Sequence, residues 1–327
     1  MIPKSEVIWM NGKLVAWDEA KVHVGTHALH YGSSVFEGIR AYSTPRGAAV
    51  FCLDQHVERL FNSCKIFRMP VPFTPAQIHD AIVQVVRDNK LQSCYIRPLV
   101  YRGFDNFSLD PRTSPVEVAI FAFEWGSYLG SESIRSGVNV GVSSWRRMAP
   151  DTFPALGKLG GQYVNSQFIA MEANDHGYQE GIALDVYGNV SEGSGDNIFV
   201  VSGGVLYTPP LGSSILKGVT RYATMTLAHD LGYSVVEQNI PREMLYIADE
   251  VFITGTAAEI VPIRSVDHVQ IGAGEPGPVT KKLQQEFFAI VQGRVPDRYH
   301  WLTFVNDAAP AKASTPASSR RSKRKGK

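Results

Sequence analysis

The stretch Val7 to Trp17, VIWMNGKLVAW, sets Asn11-Gly12 between two short apolar runs. That dipeptide tolerates the positive φ of a two-residue hairpin turn, so the chain starts as a β-meander. Further along, Val57, Leu60, Phe61 and Cys64 recur at helical spacing between Asp54 and Met69. Thr74 to Lys90 repeats the pattern behind a Thr-Pro opening suited to a helix N-terminus. Strands are predicted at Tyr95 to Tyr101, Val116 to Phe123 and Val138 to Ser144, and a second helix-rich block begins near Gly160. The run GIALDVYGNVSEGSGDNIFVVSGGVLYTPP reads as short strands cut by Tyr-Gly-Asn and Ser-Gly-Gly turns. A helix at Arg221 to Leu231, strands at Ser234 to Gln238 and Glu250 to Thr254, and an amphipathic helix at Val279 to Val291 complete the pattern.

Strands and helices mix here without the regular alternation of a doubly wound parallel sheet. The expected fold class is therefore α+β, in two domains joined by the Gly- and Ser-rich segment Gly126 to Gly137. Residues 1–125 are expected to form a small N-terminal domain, 126–137 a linker, 138–309 a large C-terminal domain and 310–327 a disordered basic tail. With 327 residues, 44% hydrophobic and 19% charged, the composition is ordinarily globular and supports a sizeable core. Neither an internal repeat nor a Gly-rich dinucleotide or triphosphate fingerprint is present.

The net charge of +1 hides an asymmetry. From Pro310 onward the tail carries seven basic residues and no acid, which leaves the rest at −6. So few apolar side chains cannot offset chain-ordering entropy, hence the expected disorder. Such a tail could touch polyanions, but the simpler reading is a solvated appendage, with neither nucleic acid nor membrane as partner. The opening MIPKSEVIWMNGK lacks a signal-peptide pattern and no stretch reaches transmembrane length, so a cytoplasmic protein is expected. Cys52, Cys64 and Cys94 are odd in number and far apart, which suits small core residues better than a disulfide framework or zinc knuckle.

Two turns could bind a phosphate. Gly218-Val219-Thr220-Arg221 opens a helix, and Thr254-Gly255-Thr256-Ala257-Ala258 follows the apolar strand EVFI. Both would expose consecutive backbone amides. Arg59 lies off the apolar stripe of its helix and is free to reach a charge. Taken singly, each is explained as well by a simple cap or a solvated arginine. Lys158, in PALGKLGGQY, stands between glycines with few charges to pair with its ammonium. A lysine so placed can be desolvated into a nucleophilic amine, although a solvent-exposed loop lysine is the plainer reading. Glu192 stands among turn-forming residues after a strand. Tyr95 and Arg97 share one face of a strand in which Pro98 suggests an edge position or a bulge. His23, His27 and His30 would share a helix face, but that helix is poor and no acid or cysteine completes a ligand set, so no metal is expected. No GxSxG or HExxH pattern supports a hydrolase.

The segments HALHYGSSVFEGIRAY, QHVERLFNSCKIFRMP, YIRPLV, GKLGGQYVNS, GYQEGIALDVYGNVSEGSGDNIF, LKGVTR and DEVFITGTAAEIVPIRSVD, in that order, closely resemble the branched-chain amino acid aminotransferases among the fold-type IV pyridoxal-phosphate enzymes. The similarity runs from about Val7 to about Asn306. It implies the D-amino acid aminotransferase-like fold, each domain a mixed β-sheet or pseudo-barrel with flanking helices. It also implies pyridoxal 5'-phosphate as a Schiff base on Lys158, which would shuttle the proton between substrate Cα and cofactor C4′. Glu192 matches the carboxylate at the pyridine nitrogen and Tyr163 the phenol beside O3′. Arg59, Leu216, Val219, Thr220, Gly255 and Thr256 match the remaining cofactor contacts. Tyr95 and the amides of Thr256 and Ala257, with Arg40 in support, match the α-carboxylate clamp. Phe36, Trp125, Tyr128 and Tyr31, the last from a neighbouring subunit, match the side-chain pocket. Arg97 could pair with the distal carboxylate of glutamate or 2-oxoglutarate.

The activity so implied is transamination of leucine, isoleucine or valine with 2-oxoglutarate by a homo-oligomer, at least a dimer and up to a hexamer. Three departures stand out: the bulky Phe104 to Leu109 loop, Lys217 before the Gly-Val-Thr turn, and Glu124 before Trp125. The nearest rivals are an amine or D-amino acid aminotransferase or an aminodeoxychorismate lyase. Tyr95 with Arg97 and the Phe36-Glu37-Gly38 stretch favour the branched-chain type. A non-enzymatic binding protein that retained the scaffold is disfavoured by Lys158 and Glu192.

Overall fold

The computed structural model describes residues 2–126 and 128–307; the tail expected at 310–327 lies outside them. The predicted hairpin forms from β1 (Val7–Met10) and β2 (Lys13–Ala16), with Asn11 at φ 49° and Gly12 at φ 91°. A short helix, α1 (His27–Tyr31), leads into β3 (Ser34–Phe36), β4 (Ile39–Thr44) and β5 (Gly47–Phe51). Helices α2 (Leu53–Ile66) and α3 (Pro75–Asp88) follow, the latter opened by a reciprocal capping box between Thr74 and Gln77. Strands β6 (Cys94–Arg102) and β7 (Val116–Phe123) run side by side over their full length.

The linker region contains a short helix, α4 (Ser131–Ser136), where only irregular chain was expected. Its Ile134 carbonyl accepts from Gln284 at 2.8 Å, so tertiary packing holds a turn of helix that Gly and Ser do not favour by themselves. The second half comprises β8 (Val138–Val142), α5 (Tyr163–Asp175), β9 (Glu180–Leu184), β10 (Val190–Gly193), β11 (Asn197–Ser202), β12 (Val205–Thr208), α6 (Val219–Asp230), β13 (Val235–Glu237), α7 (Glu243–Tyr246), β14 (Glu250–Gly255), β15 (Glu259–Val266), β16 (Val269–Gln270) and α8 (Pro278–Val291). The chain then returns, and β17 (Leu302–Phe304) pairs with β5.

Two sheets result. The first has the order β17-β5-β4-β6-β7-β1-β2, with β3 also on β6, and every pairing is antiparallel. The second has the order β10-β9-β8-β15-β14-β11-β12-β13, with β16 on β15. It is mixed, because β8 runs parallel to both β9 and β15, and β12 to β13. Since β17 belongs to the first sheet, the two layers do not divide the chain strictly by sequence.

Pro98 occupies an interior strand rather than an edge or a bulge. It pairs with Ile120 on the β7 side, and on the other side it falls at the break between β3 and β4, where its own carbonyl accepts from the Glu37 amide at 2.9 Å. A residue without an N–H donor is tolerated where no ladder partner calls for one.

Core packing explains why the strands of the second sheet read as unbroken apolar runs. On β11, Ile198 and Val200 pack to one side with Ile182, Ile253 and Val261, while Phe199 and Val201 pack to the other with Phe252, Leu227, Leu283 and Phe287. Both faces are covered, so alternation of polar and apolar residues disappears. Tyr42 and Phe51 of the first sheet join the second of these clusters, which fuses the two halves. Cys52, Cys64 and Cys94 are all buried, as expected.

Where the halves meet, the Phe36 amide donates to the Lys158 carbonyl at 3.1 Å and Val35 forms a bridge to Leu159. Gly160 permits this approach, since a Cβ there would stand 2.2 Å from the Ser34 hydroxyl.

Strand β14 carries a site-forming turn and is anchored at its other end by Glu250. The Glu250 carboxylate accepts the amides of Val279 at 2.9 Å and Thr280 at 2.8 Å and the Thr280 hydroxyl at 2.6 Å, satisfying the start of α8. Replacing Glu250 by Ala is expected to cost about 2–4 kcal/mol of unfolding free energy in denaturant titration; a loss below about 0.5 kcal/mol would contradict this role.

Candidate active site

A cavity of about 200 Å³ lies between the two sheets. From the first half it is walled by Phe36, Arg59, Tyr95, Arg97, Trp125 and Tyr128; from the second by Lys158, Tyr163, Leu216, Val219, Thr220, Gly255, Thr256 and Ala257. Residues scattered over more than 200 positions are thus brought together. Glu192 lines an adjoining chamber that shares Tyr163 and Leu216 with the cavity. Arg40 stands behind the wall. Tyr31 is exposed and outside the cavity, its hydroxyl donating to the Phe107 carbonyl at 3.4 Å.

Lys158 is buried, and its Nζ donates to the Tyr163 hydroxyl and lies 4.7 Å from the centre of the Phe36 ring. Burial and then the Arg59 charge disfavour the ammonium, Glu37 opposes them, and the balance brings the amine down to about 8. At pH 7.5 about a quarter of such an amine is neutral, against about one in a thousand for an ordinary lysine. The amine is therefore a nucleophile near neutrality.

Arg59 does reach a charge, but one inside the protein. Its Nε and Nη2 donate to the two oxygens of Glu37 at 2.6 and 2.7 Å, and its Nη1 donates to the Lys217 carbonyl at 3.0 Å. Glu37 is completely buried at the break between β3 and β4, and His56 Nδ1 contacts it at 2.8 Å. Burial would raise the Glu37 carboxyl, yet the Arg59 charge and the hydrogen bonds of Arg59 and His56 outweigh it and hold the group well below the usual carboxylate range. Burial lowers His56, so its ring is neutral and donates from Nδ1.

Glu192 lies within β10 itself, not in a turn after it, and is buried. Its Oε1 pairs with Arg147 Nη2 at 2.7 Å, and its Oε2 accepts from Asn197 Nδ2 at 3.1 Å and from the Leu216 amide at 2.9 Å. Burial raises its carboxyl, while Arg147, the Leu216 amide and Lys158 pull against that rise. A buried, oriented carboxylate edge results.

Both turns singled out in the sequence face the cavity. Gly218 caps α6, so Val219 and Thr220 fall in the first helical turn, whose amides have no partner within the helix. Arg40 holds the other turn from behind, donating to the carbonyls of Thr256 at 3.0 Å and Ala257 at 2.9 Å. In a trans peptide the next N–H points opposite to the carbonyl, so Arg40 turns the Ala257 amide away from itself. Tyr95 accepts from Arg97 Nη2 at 3.2 Å, as their shared strand face requires. Gly38 is needed beside them, because a Cβ there would stand 1.9 Å from the Tyr95 hydroxyl.

The three histidines do not share a helix. His23 precedes α1, His27 contacts Ser33 Oγ at 2.7 Å and the Ser108 carbonyl at 3.0 Å, and His30 the Val24 carbonyl at 2.9 Å. Sequence reasoning did not assign Glu37, His56, Arg147, Asp196 or Asn197 to the site. Glu37 and His56 lay in quoted motifs and Asp196 and Asn197 in the turn-rich SEGSGDN, whereas Arg147 pairs across 45 positions and left no local mark.

The residues fit pyridoxal phosphate. A near-neutral amine stands between an amide-rich, arginine-lined rim suited to a phosphate and a carboxylate suited to a ring N–H. In the apo-protein, reductive methylation of Lys158 by formaldehyde, followed by peptide mapping, is expected to rise with a midpoint near pH 8. Glu37→Gln, which removes a charge favouring the ammonium, is expected to move that midpoint lower; a midpoint at the ordinary lysine value would contradict the described balance.

Residues 34–266 match the family model for amino-transferase class IV. The chain is 51% identical over 304 residues to the branched-chain-amino-acid aminotransferase of Escherichia coli strain K12, covering 93% of this chain and 98% of that protein. A crystal structure of the E. coli branched-chain amino acid aminotransferase superposes with a TM-score of 0.91 at 51% identity, over 93% of this chain and 100% of that one. The branched-chain aminotransferase of the archaeon Thermoproteus uzoniensis, solved with norvaline, superposes with a TM-score of 0.88 at 43% identity, over 92% of this chain and 100% of that one. A third structure, the branched-chain amino acid aminotransferase of Thermobaculum terrenum in its PLP-form, superposes with a TM-score of 0.86 at 36% identity, over 92% of this chain and 98% of that one. Fold, site geometry and these similarities agree: the chain belongs to the class IV aminotransferase family, the fold-type IV enzymes.

Proposed function

We propose that the chain transaminates branched-chain L-amino acids (leucine, isoleucine and valine) with 2-oxoglutarate, giving branched-chain 2-oxo acids and L-glutamate. The cavity would hold pyridoxal 5'-phosphate, with Lys158 Nζ as the amine that would carry it. The observation that carries this reading is the buried, near-neutral Lys158 amine set between the Arg59 rim and the Glu192 carboxylate. Similarity to branched-chain enzymes over 93% of the chain supports the substrate class.

Arg59, the amides of Val219 and Thr220, the Thr220 hydroxyl and Thr256 would hold the phosphate, with Gly255 in the same turn, where a Cβ would meet the Asp196 carboxyl. Leu216 would border the ring. Glu192, fixed by Arg147, Asn197 and the Leu216 amide, would hold a proton at the ring nitrogen. When bound, the cofactor supplies an electron-poor ring that takes up the pair left at substrate Cα as its proton departs. Lys158 Nζ would take up that proton and carry it between substrate Cα and the cofactor. Tyr163, hydrogen-bonded to Lys158, orients it and would meet the ring hydroxyl.

The Tyr95 hydroxyl and the amides of Thr256 and Ala257, braced by Arg40, bind the substrate α-carboxylate. Phe36, Trp125 and Tyr128 line an apolar pocket for the branched side chain. Arg97 Nε is buried without a hydrogen-bond partner among the described residues, which suits a distal carboxylate on glutamate or 2-oxoglutarate. Tyr31, exposed on its own chain, completes the pocket of a second copy in a homo-oligomer. The layers suggest an N-terminal domain, to which β17 returns, and a C-terminal domain joined through 126–137. Among the described residues no helix is long and apolar enough to cross a membrane, and three buried free thiols suit the reducing cytoplasm.

Purified protein supplied with pyridoxal phosphate is expected to be yellow, to change spectrum with L-leucine but not D-alanine, and to lose both properties in Lys158→Ala. Arg97→Met is expected to lower kcat/KM for 2-oxoglutarate about 30- to 100-fold, by loss of a desolvated charge pair, while the leucine half-reaction stays within about threefold. No turnover of L-leucine by the parent would overturn the substrate assignment.

A further inference from the structure

Three buried polar atoms have no hydrogen-bond partner among the described residues and belong to residues lining one small chamber: Arg147 Nε, Gln162 Oε1 and Asp196 Oδ2. The chamber measures about 20 Å³ and adjoins the cofactor cavity, sharing Tyr163, Asp196, Asn197 and Leu216 with it. Glu192 lies on its wall. One water needs about 10–15 Å³ and two to four polar partners. Here the partners also match in sense. A water can accept from Arg147 Nε–H and donate one proton each to Gln162 Oε1 and Asp196 Oδ2, which leaves none of the three unpaired.

Asp196 is the unusual member. It is 4% exposed, and its Oδ2 has no hydrogen-bond partner among the described residues. Burial, then the charges of Glu180 and Glu192, push its carboxyl well above the ordinary carboxylate range, with Lys158 pulling the other way. A carboxyl so raised repels Glu192 less than an ordinary one would, and it still offers an oxygen that accepts a hydrogen bond.

The guanidinium of Arg147 has three corners to secure. Its Nη2 holds Glu192 Oε1 at 2.7 Å, and its Nη1 donates to Asn165 Oδ1 at 3.0 Å. The third corner is Nε. We propose that the chamber is a one-water site and that Asp196, acting through that water, is a positioning residue for the Arg147–Glu192 ion pair. With Nε secured, the guanidinium plane is fixed, and with it the carboxylate edge offered to the ring nitrogen. This inference rests on the assignment of Glu192 to the ring nitrogen.

The test uses the full-length holoenzyme and the variants Asp196→Ala and Asp196→Asn. The alanine variant is expected to bind pyridoxal phosphate about tenfold more weakly and to shift the pH midpoint of cofactor absorbance, having lost one hydrogen bond to a charged network. The asparagine variant, whose amide oxygen accepts the same proton, is expected to stay within about twofold of the parent. A crystal structure of the parent at about 1.5 Å should place a solvent peak within about 3.2 Å of all three atoms. Absence of that peak, an alanine variant matching the parent, or an asparagine variant as impaired as the alanine one would each overturn the proposal. A parent that binds no pyridoxal phosphate overturns the proposed function instead, and the solvent peak still decides the water site.

Discussion

The buried pair of Glu37 and Arg59 is the constraint around which the cavity is built. Glu37 sits where one strand ends and the next has not begun, and its carboxylate, with no exposure at all, is enclosed by a guanidinium and a neutral imidazole. Removing one partner of such a pair would strand the other and cost about 3–5 kcal/mol. The same contact joins the first sheet to α2 and, through the Lys217 carbonyl, to the loop before α6. It therefore sets the distance between the two halves where a ligand must fit.

Charge in the cavity is held in two buried ion pairs, Arg59 with Glu37 and Arg147 with Glu192. Arg59, Arg97 and the first turn of α6 line one end, whereas Glu192 with its partner Arg147, and Asp196, line the chamber that adjoins the other. Lys158 lies between them and feels both. Burial and then Arg59 weaken its hold on a proton and Glu37 strengthens it, so the amine comes down to about 8. A site that must distinguish a charged phosphate end from a protonated ring end needs that polarity built in before the ligand arrives.

Local patterns made much of the fold legible. Asn11-Gly12 marked the hairpin, Thr74-Pro75 the start of α3, and the glycine turns the strands between 180 and 208. Misreadings came where a distant partner overrode the local rule. Pro98 suggested an edge because no local signal reveals that its neighbour is interrupted at Glu37 and Gly38. The linker's glycines and serines gave no hint of α4, which exists because Gln284 and β15 hold it.

For the site, ordered motifs named Lys158, Glu192, Arg59 and both amide turns, because each such residue sits in a short segment whose composition is set by its chemistry. What amino-acid order determined by itself was therefore the set of elements, the reactive groups and the family. The tertiary structure alone decided their state: that Lys158 is desolvated, that Arg59 is held by Glu37, that Arg147 supports Glu192, and that Asp196 faces a chamber. Those facts depend on burial and on charges brought within about 3 Å from far along the chain, and electrostatic energy follows distance and solvent exclusion, not sequence separation.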